Sequence, residues 1–63
     1  MGTEIDKRIG KKFKIYFQDR DKVLPKFAII IAIDSIFITI QNTFNGTTEI
    51  LPMARVLRME EIL

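Results

Sequence analysis

The stretch Phe27-Ala-Ile-Ile-Ile-Ala-Ile-Asp-Ser-Ile-Phe-Ile-Thr-Ile40 decides the fold. Its β-branched content argues strand rather than helix. It is interrupted by Asp34 and falls short of the ~20 apolar residues a membrane-spanning helix needs. It reads as two strands joined at a turn on Asp34-Ser35. A tight turn there pairs Ile33 with Ile36, Ile31 with Ile38 and Ile29 with Ile40. Strand side chains alternate between faces, so these six are expected on one face. Ala28, Ile30, Ala32, Phe37, Thr39 and Gln41 then form the other, which is only half polar. A strand pair apolar on both faces must be covered twice, and the rest of the chain has to supply the covers.

Toward the N-terminus, Val23 to Ile33 continues the first of these strands. Pro25 cannot donate to a ladder, so this end is expected at an edge or a bend. Asp19-Arg-Asp-Lys22 reads as a charged turn. Lys11 to Gln18 is the cleanest alternating segment, with Phe13, Ile15 and Phe17 set against Lys12, Lys14, Tyr16 and Gln18. Residues 3–9 predict a short helix, capped by Thr3 with Asp6 three residues on, carrying Ile5 and Ile9 on one side and stopped by Gly10. A helix this short must dock to persist.

Toward the C-terminus, a strand from Ile36 to about Phe44 meets Asn45-Gly46, a strong hairpin signal. That turn pairs Ile40 with Leu51 and keeps Leu51 on the core side. Pro52 ends or bends the fourth strand, Met53-Ala54-Arg55 connects, and Val56 to Leu63 is expected as a fifth strand. There Leu57 and Met59 alternate against Val56, Arg58 and Glu60. A helix is the alternative for this last stretch, since Met, Glu and Leu favour one. The expected fold of the single domain 1–63 is mainly all-β. A short N-terminal helix precedes five strongly bent antiparallel strands that close into a small barrel.

Composition narrows the function. A chain of 63 residues has a marginal core, and small domains usually need a disulfide, a metal or a partner subunit. With no Cys and no His, a disulfide and the usual zinc ligands are ruled out. A homo-oligomer is the remaining way to hide a hydrophobic share of 48%. The net charge is only +2 but uneven. Lys7, Arg8, Lys11, Lys12, Lys14, Arg20, Lys22 and Lys26 all precede residue 27, which suggests an anionic partner, with a solvated lysine face as the plainer explanation. No triad is possible without His or Cys, and the isolated glycines form no phosphate loop. No enzyme activity, cofactor, small-molecule substrate or membrane association is expected. The start Met-Gly-Thr-Glu-Ile-Asp lacks the Ser or Thr of a myristoylation signal, and the expected location is cytoplasmic.

The pattern Ala28-Ile-Ile-Ile-Ala-Ile-Asp-Ser-Ile-Phe-Ile-Thr-Ile-Gln-Asn42, a small residue and an apolar strand, Asp at the turn, then a second apolar strand, resembles the Sm-like family, which includes the Sm proteins and the bacterial RNA chaperone Hfq. Asn42 follows Asp34 at the spacing Hfq has, and Pro52-Met-Ala-Arg-Val-Leu57 resembles the turn between that family's last two strands. The likeness covers nearly the whole chain at the level of pattern. It implies an Sm-like barrel (an SH3-like small barrel is the alternative) and a homo-oligomeric ring of six or seven subunits. Such rings form by pairing strand four of one copy with strand five of the next. It implies single-stranded RNA as partner, held near the Asp34 turn and near Arg55 in the last turn. This chain departs from the family at the uridine-reading positions, where it has Ile36, Ile38 and Pro52-Met53. The candidate contacts are therefore Lys7, Arg8, Lys11, Lys12, Lys14 and Arg55 for phosphates, Tyr16 and Phe37 for stacking, and Asp34 at the turn. A scaffold that binds no nucleic acid, and a small barrel that coats DNA, are the competing readings.

Overall fold

The structure, a computed structural model, describes residues 6–63. Five antiparallel strands form one sheet: β1 (Lys12–Asp19), β2 (Lys22–Ile33), β3 (Phe37–Asn42), β4 (Thr48–Pro52) and β5 (Val56–Glu61). A single 3-10 turn, η1 (Met53–Arg55), joins β4 to β5. The spatial order is β4-β3-β2-β1-β5, so β4 and β5 are the two edges. The expected closed barrel is not found, because no ladder joins β4 to β5 among the described residues. The sheet still bends far, since the three residues of η1 carry the chain from one edge to the other. The Lys26–Glu49 ion pair at 3.2 Å joins β4 to the part of β2 that lies beyond its ladder with β3.

β1 behaves as its alternation predicts. Phe13 and Ile15 are buried and Phe17 packs against them. The hairpin to β2 pairs Asp19 with Lys22, leaving Arg20 and Asp21 as a two-residue loop. Such loops require positive φ, and Arg20 supplies it at 59°. Gln18 Nε2 donates to the Arg20 carbonyl at 2.7 Å. Pro25 lies in the half of β2 that has β1 as its only neighbour, since β3 pairs only from Ala28 onward. Its missing N–H is tolerated at such an edge.

The central hairpin differs from the tight-turn expectation. Ile33 pairs with Ile38, and Ile30 with Ile40. The reason lies in the turn. Asp34 Oδ1 accepts from the N–H groups of Ile36 and Phe37, both at 2.7 Å, while Asp34 N donates to the Phe37 carbonyl at 2.9 Å. The carboxylate satisfies backbone donors that a two-residue turn would have paired, and the loop is longer. A β-bulge then falls between Ile30 and Ala32. Ile31 is the extra residue. A bulge resets the alternation, so Ile30 and Ile33, three apart, both face the core. The face expected from Ile29, Ile31, Ile33, Ile36, Ile38 and Ile40 is thus corrected: Ala28, Ile30, Ile38 and Ile40 are wholly buried, whereas Ile31 is 46% and Ile36 63% exposed.

β5 repeats the device. Tyr16 pairs with Arg58 and Phe17 with Val56, leaving Leu57 unpaired. Val56 and Met59, again three apart, pack on the core, while Leu57 is 55% exposed and does not share Met59's face as expected. The segment is a strand, not the alternative helix.

The Asn45-Gly46 loop is also longer than a two-residue hairpin. Only Gly46, at 73°, has positive φ there. Asn42 Oδ1 accepts from Phe44 N at 2.8 Å, and Asn45 Oδ1 from Thr47 N at 3.0 Å. Ile40 therefore pairs with Glu49 and Ile38 with Leu51. The slip from the expected register is two residues, so Leu51 stays on the core face.

Of the helix expected over 3–9, residues 3–5, including Thr3 and Ile5, lie outside the described residues. From Asp6 to Lys11 the chain makes successive turns, Ile9 N to Asp6 O and Lys11 N to Arg8 O, both 3.2 Å. No helix forms there because the sheet takes this backbone: Gly10 N donates to Ile30 O at 2.7 Å and Ile30 N to Lys11 O at 3.1 Å. Gly10, at φ 88°, does end the turn in the left-handed region as expected.

Candidate nucleic-acid interface

The face of β1 opposite the core carries Lys12, Lys14, Tyr16 and Gln18. On one side β5 places Glu60 beside Lys14 and Arg58 beside Tyr16. On the other, β2 places Ile29 beside Lys12 and Phe27 beside Lys14. Two cations lie over the Tyr16 ring: Lys14 Nζ is 4.9 Å and Arg58 Cζ 4.6 Å from its centroid. Lys14 Nζ is also 5.7 Å from the Phe27 ring. Distances under ~6 Å allow cation–π attraction. The two cations, Lys14 foremost and then Arg58, pull the Tyr16 phenol below its ordinary range. The Arg58 guanidinium is held more firmly protonated, chiefly by Tyr16 and then by Glu60.

Glu60 ties the cluster together. It accepts from Tyr16 Oη at 3.3 Å and pairs with Arg58 at 2.9 Å. Arg58 and Glu60 are exposed, so the ion pair itself adds little to stability. It orients the guanidinium. Beyond Lys14, Phe27 meets Phe44 edge to face at 6.0 Å. Thr43 N and Oγ1 both donate to the Phe27 carbonyl, at 3.1 and 3.0 Å, fastening the β3–β4 loop to β2. Phe44 is 81% exposed.

The other candidates fall elsewhere. Arg8 is engaged by Asp6, with Nη2 to Oδ2 at 2.7 Å and Nε to Oδ1 at 3.0 Å, and this guanidinium holds the Asp6 carboxyl down at about 2. Lys7 is exposed in the same turn. Lys11 sits 3.8 Å from Glu61. The Asp34 carboxylate is held below its usual range by the Phe37 and Ile36 N–H groups, so its lone pairs serve the turn. Phe37 is half exposed beside Pro52, near the end of β2 opposite to Tyr16's neighbour Pro25. Tyr16 and Phe37 do not share a patch. Arg55 is exposed in η1, three residues before Arg58.

The structure thus brings Lys12, Lys14 and Tyr16 together, leaves Arg8, Asp34, Phe37 and Arg55 apart, and adds Arg58, Phe27 and Phe44. Arg58 alternates with Glu60 in the sequence, and an antiparallel pairing of β5 with β1 would have flagged it. Among the described residues no three His, Cys, Asp or Glu side chains gather as a metal site, and no helix is long and apolar enough to cross a membrane. Comparison with family models, with curated proteins and with solved structures gives no match.

Proposed function

We propose that this chain is a cytoplasmic, Sm-like RNA-binding protein that assembles as a homo-oligomeric ring and holds single-stranded RNA on the outer face of β1. The observation that carries the reading is the Tyr16 ring with Lys14 and Arg58 both close to it, on a strand that also bears Lys12. Single-strand binding combines backbone charge with stacking on aromatic rings, and this face offers both. The ring reading is supported by two edges that are unpaired among the described residues. β4 and β5 lie at opposite ends of the sheet order, and Ile50 and Leu57 are exposed along them. Open edges are a liability unless paired, and pairing β4 of one copy with β5 of the next uses both. A ring would repeat the weak contacts of one subunit and raise avidity.

A specific observation favours a scaffold without nucleic acid. Ile38, at a uridine-reading position of the family, is wholly buried, and Asp34 is occupied by its own turn. Light scattering on a sizing column gives the subunit count. Tyr16 is the sole tyrosine and there is no tryptophan, so quenching of its fluorescence by oligo-U, oligo-A and duplex DNA reads binding at the site. Quenching by single strands that weakens with salt is expected. A ring that binds no oligonucleotide at low salt selects the scaffold, and a monomer that prefers duplex selects a DNA-coating module. Lys12→Glu with Lys14→Glu is expected to cut single-strand affinity and to flatten the log–log salt slope by about 1–2, since each phosphate contact contributes ~0.7 for single strands.

A further inference from the structure

Below the Tyr16 cluster on the same face lies an open hollow of about 310 Å³, lined by Lys12, Ile29, Gln41, Asn42, Thr43 and Gly46. It is built on one cross-strand row. Lys12 pairs with Ile29 across β1 and β2, and Ile29 pairs with Gln41 across β2 and β3. A cation, an apolar side chain and a primary amide therefore stand in line on one surface. Strands lie ~4.8 Å apart, so the Lys12 and Gln41 backbones stand about 10 Å apart along the row, a span on the scale of one nucleotide. The volume is at the lower limit of small-molecule sites, about 300 Å³, and suits one such unit.

The polar groups around the hollow are unequal. Asn42 is committed, with Oδ1 accepting from Phe44 N at 2.8 Å and Nδ2 donating to Glu49 at 3.4 Å. Thr43 Oγ1 donates to the Phe27 carbonyl. Gln41 is the loose one. Its Nε2 makes a single long bond of 3.4 Å to the Gly46 carbonyl, and its Oε1 has no partner among the described residues. An amide offers a donor and an acceptor side by side, which is the pattern that reads a base edge. Gly46 bounds the far side with no side chain, leaving the rim low.

We infer that this hollow is a nucleobase subsite: one nucleotide of a bound single strand puts its phosphate on Lys12, its base over Ile29 and its donor–acceptor edge on the Gln41 amide. The inference rests on the proposed single-strand reading and adds to it a selective position two same-face rows from Tyr16, with the Lys14–Phe27 row between them. Tyr16 and the lysines then give affinity without choice of base, and Gln41 supplies the choice.

The test compares oligo-A, oligo-U and oligo-C of equal length on the wild-type protein and on Gln41→Leu, which keeps the side chain's bulk. The wild type is expected to rank the three with a spread of about 5-fold or more, the low end for a bidentate base contact. Gln41→Leu is expected to compress that spread toward 1 while the salt slope stays unchanged. In parallel, 5′-AMP, 5′-UMP and 5′-CMP are titrated into labelled protein, and the Gln41 side-chain NH₂ resonance is expected to shift more than that of Gln18, the other glutamine, which lies at the far end of the same β1 face. Oligonucleotides that bind with no base preference, or a preference that survives in Gln41→Leu, overturn the subsite and leave the binding reading standing. A protein that binds no oligonucleotide overturns both.

Discussion

β1 and the β2–β3 hairpin are neighbours in one sheet, yet they carry information differently. In β1 apolar and polar residues alternate strictly, and only one phase buries the apolar set. In β2–β3 nearly every residue is apolar, so either phase is acceptable to the pattern. The choice falls to features the hydrophobic pattern does not contain: the Asp34 carboxylate capping its turn and the bulge at Ile31. Strict alternation specifies register, whereas uniform apolarity specifies only that a strand is buried.

The largest expected effect breaks or upholds that contrast directly. Ile30 and Ile31 are adjacent and chemically identical, yet one is wholly buried and the other is the bulged residue. Ile30→Ala is expected to cost about 2–5 kcal/mol in urea denaturation, the usual range for a buried aliphatic truncation. That is a large part of the ~3–9 kcal/mol a domain of this size has. Ile31→Ser is expected to stay within about 0.5 kcal/mol, as surface changes do. Equal costs at the two positions would move the bulge and return the hairpin to an unbroken alternation.

A smaller effect sharpens the β1 side. Tyr16 titrates below its ordinary range because Lys14 and Arg58 flank it. Lys14→Met is expected to raise the midpoint of the alkaline phenolate absorbance, and Arg58→Met to raise it less. No movement in Arg58→Met would mean that β5 does not pair with β1 in the stated register.

The smallest effect concerns acid stability and belongs to the hairpin. The Asp34 carboxyl is lowered in the folded chain by the N–H groups of Phe37 and Ile36. A carboxyl with a depressed folded pKa contributes stability that is complete above its unfolded value of 3.8 and is lost as pH falls through the lower, folded value. Thermal midpoints are therefore expected to fall as pH drops below about 4. In Asp34→Asn that acid slope is expected to be shallower, while the midpoint at neutral pH falls only modestly, because an amide oxygen still accepts from both N–H groups. An unchanged slope would show that Asp34 is not what holds the turn.

Much of the candidate site was legible. Lys12, Lys14 and Tyr16 stand two apart on a strand whose phase is certain, so their common face follows from period two alone. Arg58, Phe27 and Phe44 were not legible in the same way. They join Tyr16 and Lys14 only through pairings of β1 with β5 and with β2, and through a loop fastened by Thr43. The Asn45-Gly46 signal located a turn but not its length, because Asn42 and Asn45 side chains accept backbone N–H groups there and lengthen it by an even count, which preserved the facing of Leu51.

The amino-acid sequence by itself determined that the chain is mainly β, that it has five strands with turns near Asp19–Lys22, Asp34, Asn45-Gly46 and Pro52, and that β1 presents lysines and a tyrosine opposite a core of Phe13, Ile15 and Phe17. These are local consequences of alternation, β-branching and turn chemistry. Only the tertiary structure decided that, among the described residues, the sheet stays open between β4 and β5. It also decided that Ile30 and Ile33, like Val56 and Met59, share the core across a bulge, and that residues 6–10 form turns hydrogen-bonded to β2. Each of these depends on which strand lies alongside, and a residue three away in the chain can face the same way only when a partner strand leaves the residue between them unpaired.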